Sequence, residues 1–117
     1  FDNTVLSNLV SKLDTLANLK LLDLDLRNTN ISDKGLAKLE CLKNLPKLQT
    51  FRVDLQLCFG KFLSTLSQIN SGLETIRDYQ VSTSKADNLV KFVESLACLK
   101  SLSTIKLNLQ NFQLSID

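Results

Sequence analysis

Apolar residues recur along this chain in the frame L-x-x-L-x-x-L-x-L-x-L. The frame occupies Leu16, Leu19, Leu22, Leu24 and Leu26. It returns at Leu45, Leu48, Phe51, Val53 and Leu55, and again at Leu99, Leu102, Ile105, Leu107 and Leu109, with a weaker copy at Leu73 and Ile76. Taken at the second position, the copies lie 29, 25 and 29 residues apart, from Leu19 to Leu48 to Leu73 to Leu102. A period of roughly 20 to 29 residues is the signature of stacked strand-plus-helix units.

Each frame ends in strict alternation, as in Leu22-Asp23-Leu24-Asp25-Leu26 and Ile105-Lys106-Leu107-Asn108-Leu109. Alternation puts apolar groups on one face and polar groups on the other, so these segments are predicted strands. Between them the apolar spacing changes to three and four: Val5, Leu6, Leu9, Val10, Leu13; Leu36, Leu39, Leu42; Phe59, Phe62, Leu63, Leu66, Ile69; and Leu89, Val90, Phe92, Val93, Leu96. That spacing predicts four amphipathic helices. Asp2 or Asn3, Ser32 with Asp33, and Ser84 stand where caps for the first, second and fourth helices are needed. Gly60-Lys61 is expected to open the third, and Pro46, the only proline, to end the second.

Strand-helix-strand order requires parallel strands, because each helix returns the chain to the start of the next strand. With helices wider than the ~4.8 Å strand spacing, the stack is expected to curve, strands on its concave face. The fold class expected is therefore α/β: a right-handed strand-helix solenoid, with about four parallel strands inside and helices on the convex side, forming a single domain over residues 1–117. The third unit departs from the frame, since Asp78 and Gln80 fall where Leu24 and Leu26 stand in the first. Either a bulge turns Tyr79 and Val81 inward, or that unit is loosely formed.

Composition narrows the chemistry. The chain has 117 residues, 44% of them hydrophobic, and a net charge of +2 from dispersed charges. Its apolar runs are far too short for a bilayer, so no membrane span is expected. No histidine is present, which removes Ser-His-Asp and Cys-His arrangements and histidine-ligated zinc. Three glycines cannot write a phosphate-cradling loop, so no cofactor is expected. Cys41, Cys58 and Cys98 are widely spaced and odd in number, and are read as reduced, buried small hydrophobes of an intracellular protein. The start at Phe1 without Met, and Asn111-Phe112-Gln113-Leu114-Ser115-Ile116 reading as the opening of another unit, suggest a piece of a longer repeat protein.

The segment Leu24-Asp25-Leu26-Arg27-Asn28-Thr29-Asn30-Ile31-Ser32-Asp33-Lys34-Gly35-Leu36 resembles the ribonuclease-inhibitor-like class of leucine-rich repeats. The resemblance extends over nearly the whole chain. It implies Asn or Cys at the turn leaving each strand, bonded to buried backbone. Here that place falls to Thr29, Cys58, Thr83 and Phe112, of which Cys58 alone has the preferred identity. It further implies a non-catalytic module that binds proteins through its concave face.

On that face the polar residues of successive strands should align in columns. One column reads Asp23, Arg52, Arg77, Lys106; the next Asp25, Asp54, Tyr79, Asn108; a third Arg27, Gln56, Val81, Gln110. The candidate partner-binding residues are Asp23, Asp25, Arg52, Asp54, Arg77, Tyr79, Lys106 and Asn108. Arg52, Arg77 and Tyr79 lead them, because Arg and Tyr concentrate binding energy at interfaces. Asp25 and Asp54 lie close enough to share a cation, but an exposed face with Arg52 nearby is a poor place for catalysis or metal binding. The expected role is that of a scaffold or complex subunit holding a protein partner. The alternative is a structural ribonucleoprotein subunit contacting nucleic acid through Arg52, Arg77 and Lys106, which the dispersed charge does not signal.

Overall fold

The computed structural model describes residues 2–109. The chain runs α1 (Asn3–Leu13), β1 (Leu21–Asp25), α2 (Asp33–Leu36), β2 (Thr50–Leu55), α3 (Phe62–Ile69), β3 (Asp78–Thr83), α4 (Leu89–Ser95) and β4 (Thr104–Leu109). The strands form one parallel sheet in the order β1-β2-β3-β4. Helices pack in the same order, α1 on α2, α2 on α3 and α3 on α4. The fold is α/β, with each strand and each helix beside its sequence neighbour.

Alternation does what the sequence requires of it. Leu22, Leu24, Phe51, Val53, Tyr79 and Val81 are buried with Leu6, Leu13, Leu36, Leu63, Leu66 and Phe92 from the helices in one core, while the intervening strand residues face away. Asp2 caps α1, its Oδ1 accepting from the N–H groups of Thr4 (3.0 Å) and Val5 (3.1 Å). The second helix is one α turn that continues as a 3₁₀ helix over Ala37–Asn44. Leu36, Leu39, Leu42 and Leu45 explain this: a spacing of three matches three residues per turn, and all four are buried.

Two expected caps act differently. Ser32 does not cap α2 through its side chain; its Oγ accepts from Asn3 Nδ2 (2.7 Å) and its N–H donates to Asn3 Oδ1 (3.0 Å). Ser84 lies too far from α4, whose first flanking residue is Asn88, and instead accepts from the Leu57 N–H (3.2 Å). Phe59 is not on a helix, since α3 begins at Phe62 with Lys61 before it. Two of the cysteines also differ from the expectation of burial: Cys58 is buried, Cys41 half-buried and Cys98 exposed, all three free.

The third unit is neither bulged nor loose. Phe51 pairs in register with Tyr79 and Val53 with Val81, and both residues of β3 are buried. The register sets the frame: Leu73 corresponds to Leu45 and Ile76 to Leu48. The second positions are therefore Leu19, Leu48, Ile76 and Leu102, spaced 29, 28 and 26 residues. Thr83 then pairs with Leu55, and Ala86, not Thr83, occupies the turn position. Gln110, Phe112 and the segment from Asn111 to Ile116 lie outside the described residues.

At the turns, the bonding to buried backbone comes from Cys58, of the preferred type, and from Thr29, which is not. Thr29 Oγ1 (2.8 Å) and Cys58 Sγ (2.9 Å) both donate to the Leu26 carbonyl, drawing two successive turns onto one acceptor.

Candidate functional site

The face of the sheet turned away from the helices carries three rows fixed by strand register: Leu21, Thr50, Asp78, Thr104; Asp23, Arg52, Gln80, Lys106; and Asp25, Asp54, Ser82, Asn108. Six of the eight expected residues, Asp23, Asp25, Arg52, Asp54, Lys106 and Asn108, are brought together there. The other two are not. Tyr79 points into the core, 1% exposed, because the corrected frame places it opposite Phe51. Arg77 precedes β3, its N–H donating to the Gln49 carbonyl (2.8 Å), so it sits beyond the strand starts beside Pro46 and Lys47. Gln80 and Ser82 take the places assigned to Arg77 and Tyr79. Alternation counted from Tyr79 and Val81 as apolar positions would have found both.

The charges are organised around Arg27. Its Nε and terminal nitrogen donate to Asp25 Oδ1 (2.9 Å) and Oδ2 (2.8 Å), a bidentate pair, and Nε lies 3.6 Å from Asp54 Oδ2. Two carboxylates on neighbouring strands are thereby held side by side by one guanidinium. The hydrogen bonds from the Arg27 side chain and N–H keep the Asp25 carboxyl below the usual carboxylate range, and the same carboxylate raises Arg27. Among the described residues Asp23 and Arg52, adjacent in register, form no ion pair.

Between these groups lies an open depression of about 450 Å³, lined by Asp23, Asp25, Arg27, Arg52, Asp54, Gln80 and Ser82. A smaller hollow of about 140 Å³ lies between Arg52, Gln80 and Lys106, edged by Asp78 and Thr104. With donors and acceptors alternating and no enclosing wall, the surface suits many weak polar contacts to another large molecule. It is poorly built for chemistry, which needs water-excluded groups aimed at a reacting atom. Among the described residues no cluster of three or more His, Cys, Asp or Glu is placed to hold a metal ion, and no helix is long and apolar enough to cross a membrane.

One polar group of the predicted site has become structural. Tyr79 donates its hydroxyl to Asn70 Oδ1 (2.7 Å), and Asn70, itself fully buried, donates to Ser95 Oγ (2.9 Å). Burial drives the Tyr79 phenol far above its ordinary range.

Comparison with known proteins gives no match: no family model, no curated protein and no solved structure corresponds to this chain.

Proposed function

We propose that the chain is a segment of a leucine-rich-repeat solenoid and acts as a non-catalytic module that holds a protein partner on the uncovered face of its sheet. Two features support the solenoid reading: repeat spacings of 29, 28 and 26 residues, and strand and helix layers that follow the same order. The observation that carries the functional reading is the sheet face itself. Four parallel strands leave one face bare of every described helix, and that face presents Asp23, Asp25, Arg52, Asp54, Lys106 and Asn108 in fixed rows.

Nucleic acid is the weaker choice of partner. Its case rested on a column of Arg52, Arg77 and Lys106, and Arg77 lies outside that column while Asp23, Asp25, Asp54 and Asp78 share the face. A face with more acids than bases releases few counterions from phosphates.

The test is a cross-linking and pull-down comparison between the wild type and two charge-reversed variants. Arg52→Glu with Lys106→Glu alters the sheet face; Lys34→Glu with Lys38→Glu alters the helix side as a control. Partners should be lost with the first pair and kept with the second. Retention of every partner by the sheet-face variant would remove the assignment, and loss to ribonuclease treatment would transfer it to RNA.

A further inference from the structure

Leu57 and Phe59 stand exposed two residues apart in one turn, and Phe59 is the most exposed large apolar side chain among the described residues. Phe59 is 93% exposed and Leu57 59%, while Cys58 between them is buried and bonded to the Leu26 carbonyl. Leu57 also holds a φ of 62°, in the left-handed region that leucine rarely adopts. The equivalent position one repeat earlier is Asn28, with a φ of 53°, and the Asn28 N–H donates to the Gln56 carbonyl (3.0 Å) beside it. Asparagine suits that conformation and leucine does not. A leucine there packs little and strains the turn, so the fold alone gives no reason for it.

The two side chains border a cavity of about 520 Å³ that Cys58, Gly60, Asn28, Ser84 and Lys85 complete. Lys85 lines it and is exposed, and the exposed Lys61 follows Gly60 in sequence, while the acids nearby, Asp33 and Asp87, are half-buried, each with one carboxylate oxygen that makes no hydrogen bond. Asp87 accepts from the Ser64 N–H (3.2 Å), and Asp33 is half-buried against Gly60.

We propose that this cavity, at the ends of β1–β3 and beyond the sheet face, docks a partner-protein segment carrying one large apolar side chain flanked by acidic residues. The apolar group fills the space between Leu57 and Phe59, and the acids meet Lys61 and Lys85. An apolar anchor within a rim of opposite charge is the usual anatomy of a short-segment site. The two other candidate occupants fit less well. A second copy would bring one lysine pair against another across an isologous contact. A lipid surface would be held by two apolar side chains and two lysines, less than stable anchoring requires.

The experiment is fluorescence anisotropy with a labelled peptide bearing a central Leu-Trp pair between runs of glutamate. A control peptide carries lysine in place of glutamate, and phosphatidylserine vesicles and sedimentation of the protein alone complete the set. The acidic peptide should bind the wild type with salt-sensitive affinity. Leu57→Asn, Phe59→Ser and the pair Lys61→Glu with Lys85→Glu should each weaken it by roughly tenfold or more. Leu57→Asn should leave the thermal midpoint unchanged or raised, because asparagine accepts the backbone conformation. Five results would overturn the proposal: no binding of the acidic peptide, equal binding of the lysine peptide, unaltered affinity in the Leu57→Asn and Phe59→Ser variants, a lowered midpoint for Leu57→Asn, which would make Leu57 structural, or preference for vesicles or for a dimer that Phe59→Ser dissolves.

Discussion

β3 and β4 lie side by side in one register, yet the same positions meet different fates. Tyr79 and Ile105 are paired across the two strands, and Tyr79 is 1% exposed while Ile105 is 39% exposed. Residue type does not explain the difference, since isoleucine is the more hydrophobic of the two. What differs is the company. Tyr79 meets the Phe51 ring at a centroid distance of 5.4 Å on one side and the Phe92 ring at 6.0 Å on the other, both edge to face. β4 has a neighbouring strand on one side alone among the described residues. In a stacked fold burial belongs to the interface between units and not to the unit.

The largest expected effect tests that statement directly. Phe51→Ala, which empties the space between β1, β3 and the helices, should destabilise the chain by about 3–5 kcal/mol in urea unfolding. Ile105→Ala, which removes a similar kind of side chain from a half-covered position, should cost only about 1 kcal/mol. Comparable losses would show that β4 is as deeply packed as β2 and would end the contrast.

A smaller and more specific effect concerns the hydroxyl of Tyr79, the one tyrosine in the chain. Tyr79→Phe leaves Asn70 Oδ1 buried without its donor, a loss of about 1–3 kcal/mol. The pH dependence follows from the raised phenol. Below the ordinary value near 10 the phenol is neutral in folded and unfolded chains alike, and contributes no pH dependence. Above it the unfolded chain ionises and the folded one does not, so stability should fall with rising pH by up to about 1.4 kcal/mol per unit. Ultraviolet absorbance should therefore report tyrosinate only as the chain unfolds, and Tyr79→Phe should lose that part of the alkaline slope. Tyrosinate formed with native circular dichroism would show an accessible hydroxyl.

Tyr79 also marks where the sequence ceases to be readable. The alternation of Leu22, Leu24 and Leu26, and of Phe51, Val53 and Leu55, is local and sufficient, and those strands fall where the pattern puts them. In the third unit Leu73 and Ile76 are three apart and either can head the frame; taking the wrong one shifts the strand and turns every side chain over. A tyrosine then reads as surface because its hydroxyl needs a partner. That partner, Asn70, sits at the end of the preceding helix, where no periodicity points to it. Phe59 was misplaced for a related reason: its spacing from Phe62 and Leu63 is helical, but the chain turns at Gly60. There a Cβ would come within 2.8 Å of the Phe62 ring and 2.9 Å of Asp33 Oδ1. The site was legible where strands alternate and illegible where turns, which have no period, set the direction.

The smallest effect separates the exposed face from the core most sharply. Asp25 and Arg27 make the best ion-pair geometry on the sheet, but both side chains are exposed to water over more than half of their surface. Water and salt then offset nearly all of the attraction, so the pair orders the face without holding the fold. The carboxyl of Asp25 is depressed, so its contribution is present above the unfolded-state value and lost as pH falls through the folded one, on the acid side of the ordinary carboxylate range. In a carboxyl-detected NMR titration Arg27→Ala should move the Asp25 midpoint upward, while the urea midpoint at neutral pH stays within error of the wild type. A stationary Asp25 midpoint would mean that the bidentate pair is not populated in solution, and that Arg27 does not order the sheet face.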